Sequence, residues 1–288
     1  MQTHFPAYEA RELPPAFRAR TIDRLRSESL GRISSLEVRL ARDADEIKAV
    51  QEVRYRVFFE ELGAKGGLNR RDADRFDAVC DHLLVIDTAL PGTDSQRIVG
   101  TYRLLRQESA SAAGGFYAED EFELSGLIAR HPDQRFLELG RSCVLPDYRS
   151  KRTIELLWQG IWAYLKHYEI DVMTGCASFP GTVPAAHAEA LSYLAQNCRT
   201  DPRWDVGAVA GRYHEMDLVP AEAVSARSAI AAMPPLIKGY LRIGARVGDG
   251  CVIDRDFGTV DVFFVMPVKE IGARYVSYYG GEAQNLAA

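Results

Sequence analysis

"RFLELGRSCVLPDYRSKRTIELLWQGIWAYL", residues 135–165, is the stretch on which the fold turns. Its first half, Phe136 to Leu145, predicts a largely buried strand that nevertheless carries Glu138 and Arg141. Its second half places Ile154, Leu157, Trp158, Ile161, Trp162 and Leu165 at helical spacing, which predicts an amphipathic helix. Between them stand Arg149, Lys151 and Arg152, at a helix start where the peptide dipoles already concentrate positive charge. An ion pair in a buried strand and cations at a helix N-terminus both call for a partner.

Working outward, strands and helices alternate. "LEVRLA" (36–41) reads as a strand with outward Glu37 and Arg39, and Asp43 with Glu46 three residues later starts a helix running to about Leu62. "HLLVID" (82–87) and "RIVGTYRLL" (97–105) are strands separated by the turn residues "LPGTDS". After the central strand and helix come a strand at 171–178 and a helix at 182–198. The last third holds "RYHEMDLV" (212–219), a helical "PLIKGYLRIGA" (235–245) and a final strand "TVDVFFVM" (259–266). This order of elements predicts an α/β (α+β) fold, a central mixed twisted sheet flanked by helices.

The 288 residues suffice for one large domain or two small ones, and 47% hydrophobic with 26% charged residues is ordinary globular composition. A net charge of −5 gives no bias towards nucleic acid, so any basic site is local. The five cysteines lack CxxC spacing, and the histidines show neither HExxH nor a His/Cys cluster, so no metal site is expected. Without a signal peptide or a long apolar run, the chain is expected in the cytoplasm. Residues 1–35 read as an N-terminal extension to a domain spanning 36–288. Within that extension Phe17, Ile22, Leu25 and Leu30 among five arginines form a basic amphipathic segment, which either lies on an anionic membrane surface at the inner face of the cytoplasmic membrane or docks on the domain.

"VLPDYRSKRTIELLW" (144–158) resembles the segment after the fourth strand of GNAT-type acyltransferases, where loop amides and a helix start hold the phosphates of a pantetheine carrier. That resemblance supplies the missing anion for Arg149, Lys151 and Arg152. Users of coenzyme A carry glycines in this loop, whereas Ser150, Arg152 and Thr153 stand here, so the resemblance points to acyl carrier protein as donor and partner, with no further cofactor. A second set of motifs resembles the acyl-homoserine-lactone synthases: Arg54 and Phe58 as R-x-x-x-F, Asp74 and Asp77 as D-x-x-D, Arg103 in "TYRLL", and Glu138 and Arg141 as E-x-x-R. Ala64 stands where those synthases carry a tryptophan of a nucleoside pocket, which weighs against homoserine-lactone synthesis. "CASFPGT" (176–182, with Ser178), "AHAEALSYL" (187–194) and "MPPLIKGYLRIGARVGDGCVIDRDFGTVDVF" (233–263) resemble the ornithine lipid N-acyltransferases. That resemblance implies transfer of a 3-hydroxyacyl chain from acyl carrier protein to the α-amine of L-ornithine.

The chemistry asks for little. An α-amine must lose a proton before it attacks a thioester, and Glu138 or Asp77 is the candidate base, with His82 in reserve. Arg54, on a helix face shared with Ile47, Val50 and Val57, needs an anion such as Asp74, Asp77 or Glu138. Glu138 and Arg141 point to opposite faces of a strand unless a bulge intervenes, and Gly140 is the residue placed to make one. Arg54, Phe58, Asp74, Arg103, Arg141 and Ser178 are the expected acceptor-site residues; Cys143 and Cys176 are expected to be core thiols. Another amino acceptor (glutamine, glycine, tyrosine), an acyl-homoserine-lactone-type signal synthase and a non-catalytic acyl- or carrier-binding module stay open as alternatives.

Overall fold

In the computed structural model, which describes residues 24–67, 69–272 and Tyr275, the order of elements follows the hydrophobic pattern. They are α1 (Arg24–Ser27), β1 (Gly31–Ile33), β2 (Leu36–Leu40), α2 (Ala44–Tyr55), β3 (Asp81–Asp87), β4 (Ile98–Arg106), α3 (Gln107–Ala113), α4 (Leu124–Arg130) and β5 (Phe136–Val144). There follow α5 (Lys151–Tyr168), β6 (Val172–Pro180), α6 (Ala188–Asn197), α7 (Ala226–Ala232), α8 (Pro235–Ile243), β7 (Arg246–Val247), β8 (Val252–Asp254) and β9 (Thr259–Pro267). The strands form one sheet in the order β1-β2-β3-β4-β5-β6-β9-β7, with β8 also on β9. Among these pairs only β5–β6 is parallel, because α5 carries the chain across between them.

Helices cover both faces, which is why every residue of β3 is buried. Val38, Leu83 and Val85 pack with Leu156, Leu157 and Ile161 of α5, while Leu84, Ile86 and Ile98 pack with Val50, Val53 and Val57 on the α2 side. The helix α5 lies very close to the sheet. A Cβ at Gly160 would stand 2.7 Å from Val38 Cγ2 and 2.9 Å from Leu83 Cδ1. Ile154, expected on its buried stripe, is exposed at the first turn, and Leu156 and Tyr164 are buried instead.

Beyond Tyr55 the α2 rod continues as a π-turn, Arg56–Glu61, closed by Leu62 N–H donating to Val57 C=O at 3.1 Å. Such a widened turn re-aims side chains, and here it carries Phe58. Two expectations need correction, and residues 212–219, whose pattern assigns no element, take little regular structure. Arg39 is not outward in solvent: it is 1% exposed and held by Glu46, because α2 covers that face of β2. Residues 212–219 make only an isolated bridge, His214 to Cys251, and the extra strands of the last third are the short β7 and β8. The boundary at residue 36 falls inside the sheet, since Leu25 joins the core and β1 pairs with β2; residues 1–23 lie outside the described residues.

The feature that makes the site is a parting of strands. β5 pairs with β6 only over Phe136–Glu138, opposite Val172–Thr174. At the next position Gly175 meets the Leu139 carbonyl so closely that a Cβ there would sit 2.3 Å from its oxygen. Past that point β6 runs on with β9 as far as Pro180, while β5 stays with β4. On β5 the register slips opposite Tyr102, so Arg141 and Ser142 share one partner position. The bulge expected from Gly140 is therefore present, but its left-handed residue is Arg141, with φ 48°.

Candidate functional site

A cavity of about 650 Å³ fills the space where β5 and β6 part. Glu138, Leu139 and Arg141 line one wall, Cys176 and Ser178 the other, and Phe58 and Tyr117 contribute aromatic surface. The ring of Phe58 meets Phe257 edge-on at 5.8 Å, and the Arg141 guanidinium lies 4.7 Å over Phe257 and 4.6 Å over Tyr117.

Glu138 is 4% exposed and accepts two backbone N–H bonds, from Tyr117 at 2.7 Å and Ala118 at 2.9 Å. These donors belong to the first turn of a short 3₁₀ helix, Tyr117–Asp120, so the carboxylate anchors that turn against β5. Burial pushes its carboxyl up to about 7, against the downward pull of those amides and of Arg103. A carboxyl poised near neutrality at a cavity wall suits general-base work. Arg141, three residues on along β5, turns to other partners.

Those partners form a closed ring of ion pairs behind the wall. Arg54 bridges Asp72 at 2.8 Å and Asp77 at 2.8 Å; Arg103 bridges Asp77 at 3.2 Å and Asp74 at 2.7 Å. Arg141 closes it, reaching Asp72 at 3.1 Å and Asp74 at 3.3 Å. Three cations alternate with three anions, so the assembly is neutral although Arg54 is fully buried and Arg103 is 3% exposed. Neutrality with every charge paired is what makes such burial tolerable. Asp72 went unnoticed in the sequence, where Asp74, Asp77 and Glu138 already offered three anions to the three arginines. Arg141 is the ring member that reaches the cavity; Arg54, Asp74 and Arg103 support it from behind.

Asp77, the second expected base, is removed from that role by this ring. Burial pushes its carboxyl up, but Arg54 and then Arg103 outweigh burial and hold it well below the usual carboxylate range. It does not line the cavity, and Gln51 donates to it at 3.0 Å. His82 is buried against the Asp77 carbonyl, at 3.1 Å, and burial lowers its pKa. The thiol of Cys143 is pushed by burial up to about 12. Cys176 packs against the core and also lines the cavity; burial and then the Glu121 carboxylate push its thiol well up, so it makes a poor nucleophile.

The basic turn is less free than its sequence suggests. Arg149 forks onto Glu61 with two contacts of 2.6 Å and donates to the Val144 carbonyl at 3.0 Å. Lys151 sits 3.2 Å from Glu155, one helical turn on, and Arg152 is exposed. The Ser150 hydroxyl caps α5 by accepting the Thr153 N–H at 3.3 Å. Arg149 thus has an internal anion already, and Lys151 and Arg152 are the cations presented outward.

A second group of acids escaped the sequence reading altogether. Glu121, from the short acidic stretch before α4, Asp254 at the end of β8 and Asp261 on β9 also line the cavity. They are far apart in sequence, and β8–β9 pairing brings the two aspartates together.

Residues 53–159 match the Acetyltransferase (GNAT) domain family. The chain is 60% identical to the L-ornithine N(alpha)-acyltransferase of Brucella abortus (strain 2308), covering 89% of this chain and 93% of that one. It is 58% identical to the protein of the same name from Agrobacterium fabrum (strain C58 / ATCC 33970), covering 89% of each. Among solved structures, FeeM, an N-acyl amino acid synthase from uncultured soil microbes, is similar with a TM-score of 0.49 at 10% identity, over 84% of this chain and 94% of that one.

Proposed function

The chain belongs to the L-ornithine N(alpha)-acyltransferase family, and from that premise we propose that it transfers a 3-hydroxyacyl chain from acyl carrier protein to the α-amine of L-ornithine. The observation that carries the reading is Glu138, a carboxyl near neutrality on the wall of the cavity where β5 and β6 part. The thioester enters along the separated edge of β5, and the acyl chain lies against the apolar surface of Phe58 and its neighbours. Glu138 accepts a proton from the α-amine, directly or through a water. The amine nitrogen then bonds to the carbonyl carbon, the C–S bond breaks, and the carrier thiol leaves with a proton. Backbone amides at the Arg141–Ser142 bulge are the donors placed for the oxyanion.

Lys151 and Arg152 receive the acidic carrier and its phosphodiester at the start of α5. No described helix is long and apolar enough to cross a membrane. Its lipid product favours work at an anionic membrane face, with the basic segment up to residue 32 as the contact. The test is direct: incubate the purified protein with 3-hydroxyacyl carrier protein and ornithine, and analyse products by mass spectrometry. An amide at the α-nitrogen, with acyl-coenzyme A a much poorer donor, is expected. Absence of the amide, or equal use of both donors, overturns the reading or its carrier half respectively.

A further inference from the structure

Glu121, Asp254 and Asp261 bring three carboxylates to one corner of the cavity, apart from the aspartate–arginine ring. One oxygen from each lies within 4.8 Å of the other two. Asp261 stands on β9 opposite Ser178 of β6 and is 7% exposed; the Ser178 and Thr259 hydroxyls approach its carboxyl, yet its Oδ1 accepts no hydrogen bond. A buried carboxylate oxygen without a donor is unfavourable, and here it is paired with like charges. The partners the cluster does have account for only part of it. Arg212 reaches Glu121 at 2.9 Å, and the Cys176 thiol donates to the same carboxylate at 3.9 Å. Asp254 Oδ1 accepts the amides of Asp256 and Phe257, at 2.8 and 2.9 Å. One contacting arginine against three carboxylates leaves the corner with a surplus of negative charge.

We propose that this corner is the subsite for the side-chain ammonium of the acceptor amino acid, and that it sets the preference for a cationic acceptor. The inference rests on the preceding reading that the acceptor is ornithine. Cys176 lines the same cavity as Glu138, and its thiol touches Glu121 of the acidic corner. With the α-amine at Glu138, the acceptor's three methylenes cross Cys176 and the terminal ammonium meets the carboxylates. An ammonium carries three donors and no acceptor, which matches a corner built of acceptors and leaves none of its protons unused. Glycine leaves the Asp261 Oδ1 without a donor, and glutamine brings a neutral amide whose carbonyl oxygen faces carboxylates; sites whose buried groups stay unpaired or opposed reject such analogues. Burial and then mutual repulsion with Asp261 push Glu121 up to about 7, and burial raises Asp261; a bound ammonium opposes both effects.

The experiment compares ornithine with norvaline, the same chain lacking the ammonium, as acceptors for the wild-type protein and for Asp261→Asn. Asparagine keeps the shape and removes one charge. The expected result is a fall of about ten- to a hundredfold in kcat/KM for ornithine, mainly in KM, with little change for norvaline, the loss due to a charge-assisted hydrogen bond. Glu121→Gln should shift the same ratio, and it answers the question if Asp261→Asn does not fold. An unchanged ratio in both variants, or equal losses for the two acceptors, overturns the proposal. So does calorimetric binding of calcium or magnesium that Asp261→Asn abolishes without altering the ratio, since three carboxylates also suit a hard cation. Wild-type protein that acylates neither acceptor overturns the functional reading itself, whereas ornithine transfer with unshifted variants overturns only the subsite.

Discussion

Replacing Glu138 by glutamine tests chemistry and electrostatics in one protein. Glu138 has a folded pKa of about 7 against an ordinary value of 4.5. Its folded state therefore holds the proton more tightly than the unfolded chain, so this group's contribution to stability is greatest at low pH. That contribution declines as pH rises from the unfolded value through the folded one. Integrated between about pH 5 and about pH 8, the decline amounts to about 2–3 kcal/mol. Glu121 and Asp261 change stability in the same direction, and the depressed Asp74 and Asp77 act oppositely at lower pH, so the quantity to read is a difference between proteins. In urea unfolding, the wild type should lose about 2–3 kcal/mol more than Glu138→Gln across that range. Glutamine also sets an amide beside the Tyr117 and Ala118 N–H donors, one of which loses its acceptor, at about 1–3 kcal/mol at any pH. For catalysis, the wild-type kcat/KM should fall tenfold per pH unit below about 7 as Glu138 takes up its proton, and kcat of the variant should drop about 10²- to 10⁴-fold. A variant with near-normal turnover, or parallel pH dependence of stability in the two proteins, refutes the assignment of the base and of its environment.

Arg54→Met removes one member of the ion-pair ring and strands Asp72 and Asp77 in the interior; a loss of about 3–5 kcal/mol in chemical denaturation is expected, and a loss below about 1 kcal/mol would mean water reaches the ring. Charge reversal at Lys151 and Arg152 should raise KM for acyl carrier protein tenfold or more at low salt, at about 1.5–3 kcal/mol per charge-assisted phosphate contact, with little effect on the KM for ornithine; unchanged kinetics would free the basic turn of that role. Arg149 is the wrong site for that test, because its reversal sets an acid against Glu61. In liposome flotation, full-length protein should rise with anionic vesicles and less so in high salt. A truncation beginning at residue 24, which spares Leu25 and β1, should stay in solution. Equal flotation of both proteins would place the contact elsewhere.

The alternation of strands and helices was legible because each element buries one repeating face, and residues 135–165 carried both periods and the basic turn between them. The motif residues were legible too, yet not their partners. Arg54, Asp74, Asp77, Arg103 and Arg141 announced an ion-pair network, but only packing revealed Asp72 as its sixth member and withdrew Asp77 from acid–base duty. Periodicity describes which way a side chain leaves its own backbone; it carries no information about which groups from distant segments arrive there. The same limit explains Arg39, which alternates outward on β2 and is then covered by α2. It also explains the acidic corner, whose residues 121, 254 and 261 meet only because β8 folds onto β9 and both lie beside the gap that opens in the sheet past Gly175 and beside the bulge at Arg141. Burial and charge, the quantities that tune Glu138 and Glu121, are sums over those neighbours, and the neighbours exist only once the chain has folded.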